Sequence, residues 1–220
     1  MLTRFLLRCT LTVLAGEAAP VPVEREPRHH VQLRNEVIEV IHVVLPPGES
    51  TLFHTHSHDR VAVDLTRATL VLQTFGQPEG PPEPTVPGSL SSRANADAPV
   101  THRVKNVGTT PYEVVDVEFL HRPSTRTRTP AASDVGTDNP SARIQVWRLS
   151  PGETSALHTH SQSTLLLSVT RGRLTMLDAA GHPEERAFEP GDFRWTDAPS
   201  THALRNGTAS PLEVVELELK

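Results

Sequence analysis

The chain has 220 residues, a formal charge of −5 and an isoelectric point near 6.2. That length has room for two small domains with modest cores, and an acidic balance without a basic stripe speaks against a nucleic-acid binder. Twenty prolines and few helix-period runs point away from a helical fold, and 4% aromatic residues leave the core to Val, Leu and Ile.

The first segment, MLTRFLLRCTLTVLAGEAAPVP, has a positive start at Arg4, an apolar run over 5–15 interrupted by Arg8, and the small residues Gly16 and Ala18 around Glu17. It resembles a secretory signal peptide over 1–18, and it is too short and too interrupted to span a bilayer. The expectation is a periplasmic or secreted protein with no membrane association in its mature form. Cys9 is the only cysteine, so cleavage would leave no disulfide and no thiolate ligand. Only Lys105 and Lys220 stand among the 21 Lys and Arg residues, a bias that suggests a GC-rich, bacterial coding genome.

Further along, EVIEVIHVVL (36–45) is β-branched and reads as a strand, and LPPGES turns the chain. A histidine-bearing strand follows, then VAVDL and ATLVLQTF, the Pro/Gly loop 76–88, PVTHRVKN, and YEVVDVEFL. A stretch rich in Pro, Ser, Thr and Asp without any period then leads to RIQVWRL and a second series ending in EVVELEL. The expected division is a leader over 1–18, a first domain over 19–122, a linker over 123–140 and a second domain over 141–220. Short strands separated by turn signals indicate an all-β sandwich or barrel. The Glu-rich closing segments read as strands with one wet face.

The second series repeats the first. Pro47, Gly48, Glu49, His54, Thr55, His56 and Ser57 match Pro151, Gly152, Glu153, His158, Thr159, His160 and Ser161, each 104 residues later. Asp97–Asn106 matches Asp197–Asn206, 100 residues later, which pairs His102 with His202 and Asn106 with Asn206. Two units of this size are too long for solenoid repeats and indicate two similar domains. On a strand, residues two apart share a face, so each His-x-His presents two imidazoles to one side. Imidazole suits zinc, copper, iron and nickel.

Gly48 followed by His-x-His, and His102 followed three residues on by Asn106, are similar to the two motifs of the cupins. Both motifs recur in order in the second half, where Pro190-Gly191-Asp192 also looks like the opening of the second motif. The resemblance spans about 37–219 and implies two double-stranded β-helix (jelly-roll) barrels in tandem, a bicupin. It further implies a divalent transition metal (Fe, Mn, Ni or Zn) held by His54, His56 and His102, and another by His158, His160 and His202. Where the family places a Glu after the second His, this chain has Arg60 and Val61, and Thr164 and Leu165. Each site therefore resembles the three-His variant, which leaves the full charge of the ion to attract an anionic small-molecule ligand.

His58 and Asp59 are candidates for a fourth ligand in the first copy, which is on that account expected to bind metal at least as tightly as the second. Arg60 is expected to point outward. His29, His30, His42, His121 and His182 are left outside the sites, and Asn106 and Asn206 are read as backbone-bonding turn residues. No general acid or base stands out. Two readings of function stay open. One is an exported metalloenzyme, dioxygenase-like or isomerase-like, acting on a small oxygenated acid, with the metal as Lewis acid and template. The other is a non-catalytic metal- or small-ligand-binding bicupin.

Overall fold

The computed structural model describes residues 18–122 and 139–220; nearly all of the expected leader and of the expected linker lies outside the described residues. Among the described residues there is no α-helix, only a single 3-10 turn over Val23–Arg25. The first half contains β1 (Val21–Pro22), β2 (His29–Arg34), β3 (Ile38–Leu45), β4 (His54–His56), β5 (Asp59–Asp64), β6 (Thr69–Thr74), β7 (Glu83–Pro84), β8 (Leu90–Arg93), β9 (Val100–Asn106) and β10 (Tyr112–Phe119). The second contains β11 (Ala142–Leu149), β12 (His158–His160), β13 (Thr164–Ser168), β14 (Gly172–Asp178), β15 (Pro183–Phe188), β16 (Phe193–Thr196), β17 (Ser200–Asn206) and β18 (Leu212–Leu219).

Each half is a pair of facing sheets. In the first they run β1-β4-β9-β6-β7 and β2-β3-β10-β5-β8; in the second, β12-β17-β14-β15 and β11-β18-β13-β16. Strands β3 to β10 correspond to β11 to β18, while β1 and β2 have no counterpart and extend the first half. The motif glycines Gly48 and Gly152 adopt φ of 79° and 77°, which explains glycine at that turn in both copies. Asn106 Nδ2 donates to the carbonyls of Leu45 and Thr110, and Asn206 Nδ2 to those of Leu149 and Ser210, so both asparagines pin the motif's end to neighbouring backbone as expected.

Alternation along the strands builds three cores. Ile41, Val43 and Leu45 of β3 and Tyr112 and Val114 of β10 pack inward against Ala68 and Leu70. Leu149, Leu166, Leu212 and Val214 do the same against Leu174, Phe188 and Leu204 in the second half. The opposite faces of the same strands form a third core between the halves, where Ile38, Val40, Val61, Val63, Val115, Val117 and Phe119 meet Ile144, Leu165, Leu167, Val215 and Leu217. Burying such side chains is worth about 1.5–3 kcal/mol each.

This interdomain core corrects the reading of the Glu-rich closing strands. With Val115 and Val117 turned to the other half, Asp116 and Glu118 are left facing their own barrel, 4% and 0% exposed; Glu216 and Glu218 repeat the placement at 2% and 7%. Neither strand has a wet face at these positions.

Candidate metal centres

In the first half, β4 presents His54 and His56 inward, and β9 pairs with it in a register that sets His54 opposite His102. The three rings stand 4.7–5.1 Å apart in edge-on arrangements. His54 Nδ1 donates to the Leu52 carbonyl at 3.0 Å, which fixes its Nε2 as an acceptor, and His102 Nε2 lies 3.1 Å from it. Two ligand nitrogens on one ion, each at about 2.1 Å, stand about 3.0–3.4 Å apart, so an ion could take the place of the proton between these rings. His56 Nδ1 lies 2.6 Å from Glu118 Oε1, the carboxylate–histidine arrangement that aims the other nitrogen at a metal. Burial holds His54 down to about 3 and His102 down to about 2, with neighbouring imidazoles adding to it, so both rings stay in the neutral form that coordinates.

His29 belongs to this cluster, against the expectation that left it out. Its ring lies 4.6 Å from that of His54 at a tilt of 59°, and the ligand nitrogens of His29, His54 and His56 lie within 4.8 Å of one another. His29 Nδ1 lies 2.6 Å from Glu26 Oε2. Burial pushes the Glu26 carboxyl up, but His29 and the amides of Leu52 and Arg28 outweigh it and hold the group below its usual range. The strand that carries His29 is outside the repeat, and a lone His-His before the first barrel has no period to betray it.

The proposed fourth ligands are elsewhere. His58 is 42% exposed at its side chain and reaches only to 3.7 Å from Glu118 Oε2. Asp59, one residue out of phase with the barrel interior, faces the domain junction. There Arg122 grips it through Nε and Nη2, both at 2.7 Å, and Ser141 Oγ donates at 2.8 Å.

Arg60 points inward, contrary to expectation. It shares its inner face with Ala62 and Asp64, and its Nη1 donates to both oxygens of Asp116 at 2.8 Å. These residues, with His29, His54, His56, His102, Val43 and Tyr112, line an open cavity of about 270 Å³. Tyr112 Oη donates to Asp64 Oδ1 at 2.9 Å, and burial raises the Asp64 carboxyl above its ordinary value, the larger effect of the two. The cavity thus holds a hydrogen-bonded Tyr112–Asp64 pair that the sequence did not single out.

In the second half the same strands converge His158, His160 and His202, with rings 4.5–5.1 Å apart. Here a carboxylate stands among them. Glu216 of β18 lies 3.3 Å from His158 Nε2, 3.2 Å from His160 Nε2 and 3.0 Å from His202 Nε2, and Trp147 Nε1 donates to it at 2.9 Å. All four residues offer ligand atoms within 4.8 Å of one another. The motif places a Glu just after the position of His160; here the carboxylate comes instead from the closing strand.

Glu216 changes the electrostatics. Burial opposes charge on both partners, yet Glu216 is held far below the usual carboxylate range by the three histidines, and Glu216 with Glu218 lifts His160 to about 9. Both ring nitrogens of His160 are buried and face carboxylates, Nε2 at 3.2 Å from Glu216 and Nδ1 at 3.6 Å from Glu218. The interior is also fuller: Trp147 and Leu166 stand where Val43 and Ala62 line the first cavity, and Trp147 stacks 4.9 Å from His158.

Both donor sets therefore suit a divalent cation. The first offers imidazoles with a cavity beside them; the second offers imidazoles and an internal carboxylate.

No family model and no curated protein matches the sequence. Solved structures do match the fold. AerE from Microcystis aeruginosa is 12% identical with a TM-score of 0.58, over 89% of this chain and 98% of that one. A cupin 2 conserved barrel domain protein from Leptotrichia buccalis is 10% identical with a TM-score of 0.52, over 86% of each chain. Bacillus subtilis oxalate decarboxylase, a protein with Mn(II) centres, is 11% identical with a TM-score of 0.54, over 84% of this chain and 69% of that one. With two pairs of facing sheets, a repeated His-x-His strand and these neighbours, the chain has the two-barrel fold of the bicupins.

Proposed function

We propose that the protein is a metal-dependent cupin that takes a small oxygenated acid in its first barrel, and that the second barrel holds a metal without an outside ligand. The observation that carries this reading is the 3.1 Å approach of His54 Nε2 to His102 Nε2 beside an open cavity of about 270 Å³ lined by Arg60. His54, His56 and His102, joined by His29, would hold the ion there. His158, His160, His202 and Glu216 would hold the second. A bound divalent metal supplies Lewis acidity and a template for two oxygen donors. The chain's own residues supply the rest. Arg60 offers cationic charge to a carboxylate that enters the cavity. Asp64, its carboxyl raised above the ordinary value by burial and oriented by the Tyr112 hydroxyl, can hold or pass a proton.

The neighbour that is an oxalate decarboxylase supports the class of ligand, a small acid with adjacent oxygens. The leader-like segment supports an exported location, which an N-terminal mass of protein from the native host would test. Calorimetric titration of the manganese-loaded protein with oxalate, glycolate and pyruvate tests the central reading. Binding of at least one acid that disappears in His54→Ala/His56→Ala, and persists in His158→Ala/His160→Ala, is the expected result. Equal binding by all three proteins would contradict it.

A further inference from the structure

We infer that Arg60 acts as a decoy cation: it ties up Asp116 and so withholds an internal carboxylate from the first metal centre, keeping a coordination position there for an outside acid. The inference rests on the metal-binding reading of both barrels and concerns what distinguishes them.

The two halves supply the comparison within one chain. Asp116 pairs with Ala62 across β10 and β5; Glu216 pairs with Leu166 across β18 and β13. The two acids are thus at one position of the fold, with Asp116 exactly one repeat before Glu216 in EVVDVEF and EVVELEL. Register likewise sets Arg60 opposite Glu118 and Thr164 opposite Glu218, so Arg60 and Thr164 are counterparts. Where the counterpart is threonine, the carboxylate lies among three imidazoles. Where it is arginine, both carboxylate oxygens are taken by one guanidinium nitrogen at 2.8 Å.

Asp116 is within reach of the centre all the same. Its carboxylate, a ring nitrogen of His56 and Glu118 lie within 4.8 Å of one another. What separates the barrels is then the competitor, with the one-methylene difference between Asp and Glu acting in the same direction. Arg60 is further poised for exchange. Its Nε is buried with no hydrogen-bond partner among the described residues, on a side chain that lines the cavity. An incoming acid could give that donor a partner while its other oxygen fills the position that Asp116 does not. The chemistry selects a small carboxylate with a second oxygen donor adjacent to it.

Cobalt(II) titration of metal-stripped full-length chain tests this, read by visible absorption, with oxalate as the acid probe. His158→Ala/His160→Ala isolates the first barrel. In that background Arg60→Thr should tighten cobalt binding by about tenfold or more and weaken oxalate binding by a similar factor. Adding Asp116→Asn should cancel the gain in cobalt affinity, because the gain runs through the freed carboxylate. Cobalt affinity unchanged by Arg60→Thr, or a gain that survives Asp116→Asn in full, overturns the inference. The reciprocal change covers a failure of Arg60→Thr to fold. In the His54→Ala/His56→Ala background, Thr164→Arg should draw Glu216 away and weaken cobalt binding at the second barrel by about tenfold; no change overturns the inference. Absence of cobalt binding by the unmutated chain would overturn the metal reading itself, whereas two bound ions with these variants inert would overturn only the role of Arg60.

Discussion

Replacing Glu216 with Gln removes one buried charge at nearly constant size and leaves an acceptor for Trp147. In the metal-free protein Glu216 faces three imidazoles at 3.0–3.3 Å and is 2% exposed, so solvent screens it little. Burial alone would depress His160, but Glu216 first and Glu218 second lift it from 6.5 to about 9. That difference corresponds to about 3 kcal/mol of stability. Glu218 remains in the variant, so Glu216→Gln should cost about 2 kcal/mol. The sign follows from linkage. A histidine whose folded value is raised contributes fully below its unfolded 6.5, and the contribution is lost as pH rises through about 9. Glu216, held low in the fold, contributes above its ordinary 4.5 and loses that contribution only in acid. The full penalty therefore belongs between about pH 4.5 and 6.5 and fades above about pH 9. Trp147 and Trp195, the two tryptophans of the chain, both lie in the second barrel, so their fluorescence in urea with EDTA reports that barrel. A penalty near 2 kcal/mol at pH 6 that shrinks at pH 10 is the expected outcome. An equal penalty at both pH values, or none at pH 6, would refute the electrostatic account of this site.

Ala62→Leu copies the second barrel's Leu166 into the first cavity and should weaken oxalate binding at least about tenfold while leaving two metal equivalents in place, by calorimetry and elemental analysis. His29→Ala should weaken metal binding at the first barrel about tenfold in cobalt titrations, whereas His30→Ala, on the outer face of β2, should not. Asp59→Ala leaves Ser141 Oγ and the Ala96 amide without their acceptor and removes one of the two carboxylates that hold Arg122, the other being Asp97. It should cost about 2–3 kcal/mol of stability in urea and speed proteolysis between the barrels.

The motif carried what repetition and period could carry. His54, His56, His102 and their counterparts share spacings in two copies, and alternation on a strand sets each His-x-His pair on one face. What the pattern could not show was set by the partner surface. Asp116 and Glu216 read as solvent-facing because alternation assigns one face of a strand to water. The second half covers that face with Val215 and Leu217, so the acids turn inward by default. Arg60 and Asp59 exchange roles for the same reason: one residue of phase separates the cavity from the junction, and short runs after a turn do not reveal the phase. His29 was invisible because β2 is unrepeated and its contacts with Glu26 and His54 are tertiary.

Elemental analysis is the most direct test of two histidine-lined centres, one per barrel. Protein expressed with iron, manganese, nickel and zinc available should carry about two equivalents of divalent transition metal. His54→Ala/His56→Ala and His158→Ala/His160→Ala should each lose one of them. Less than about a tenth of an equivalent of every metal in the unmutated chain would contradict the account.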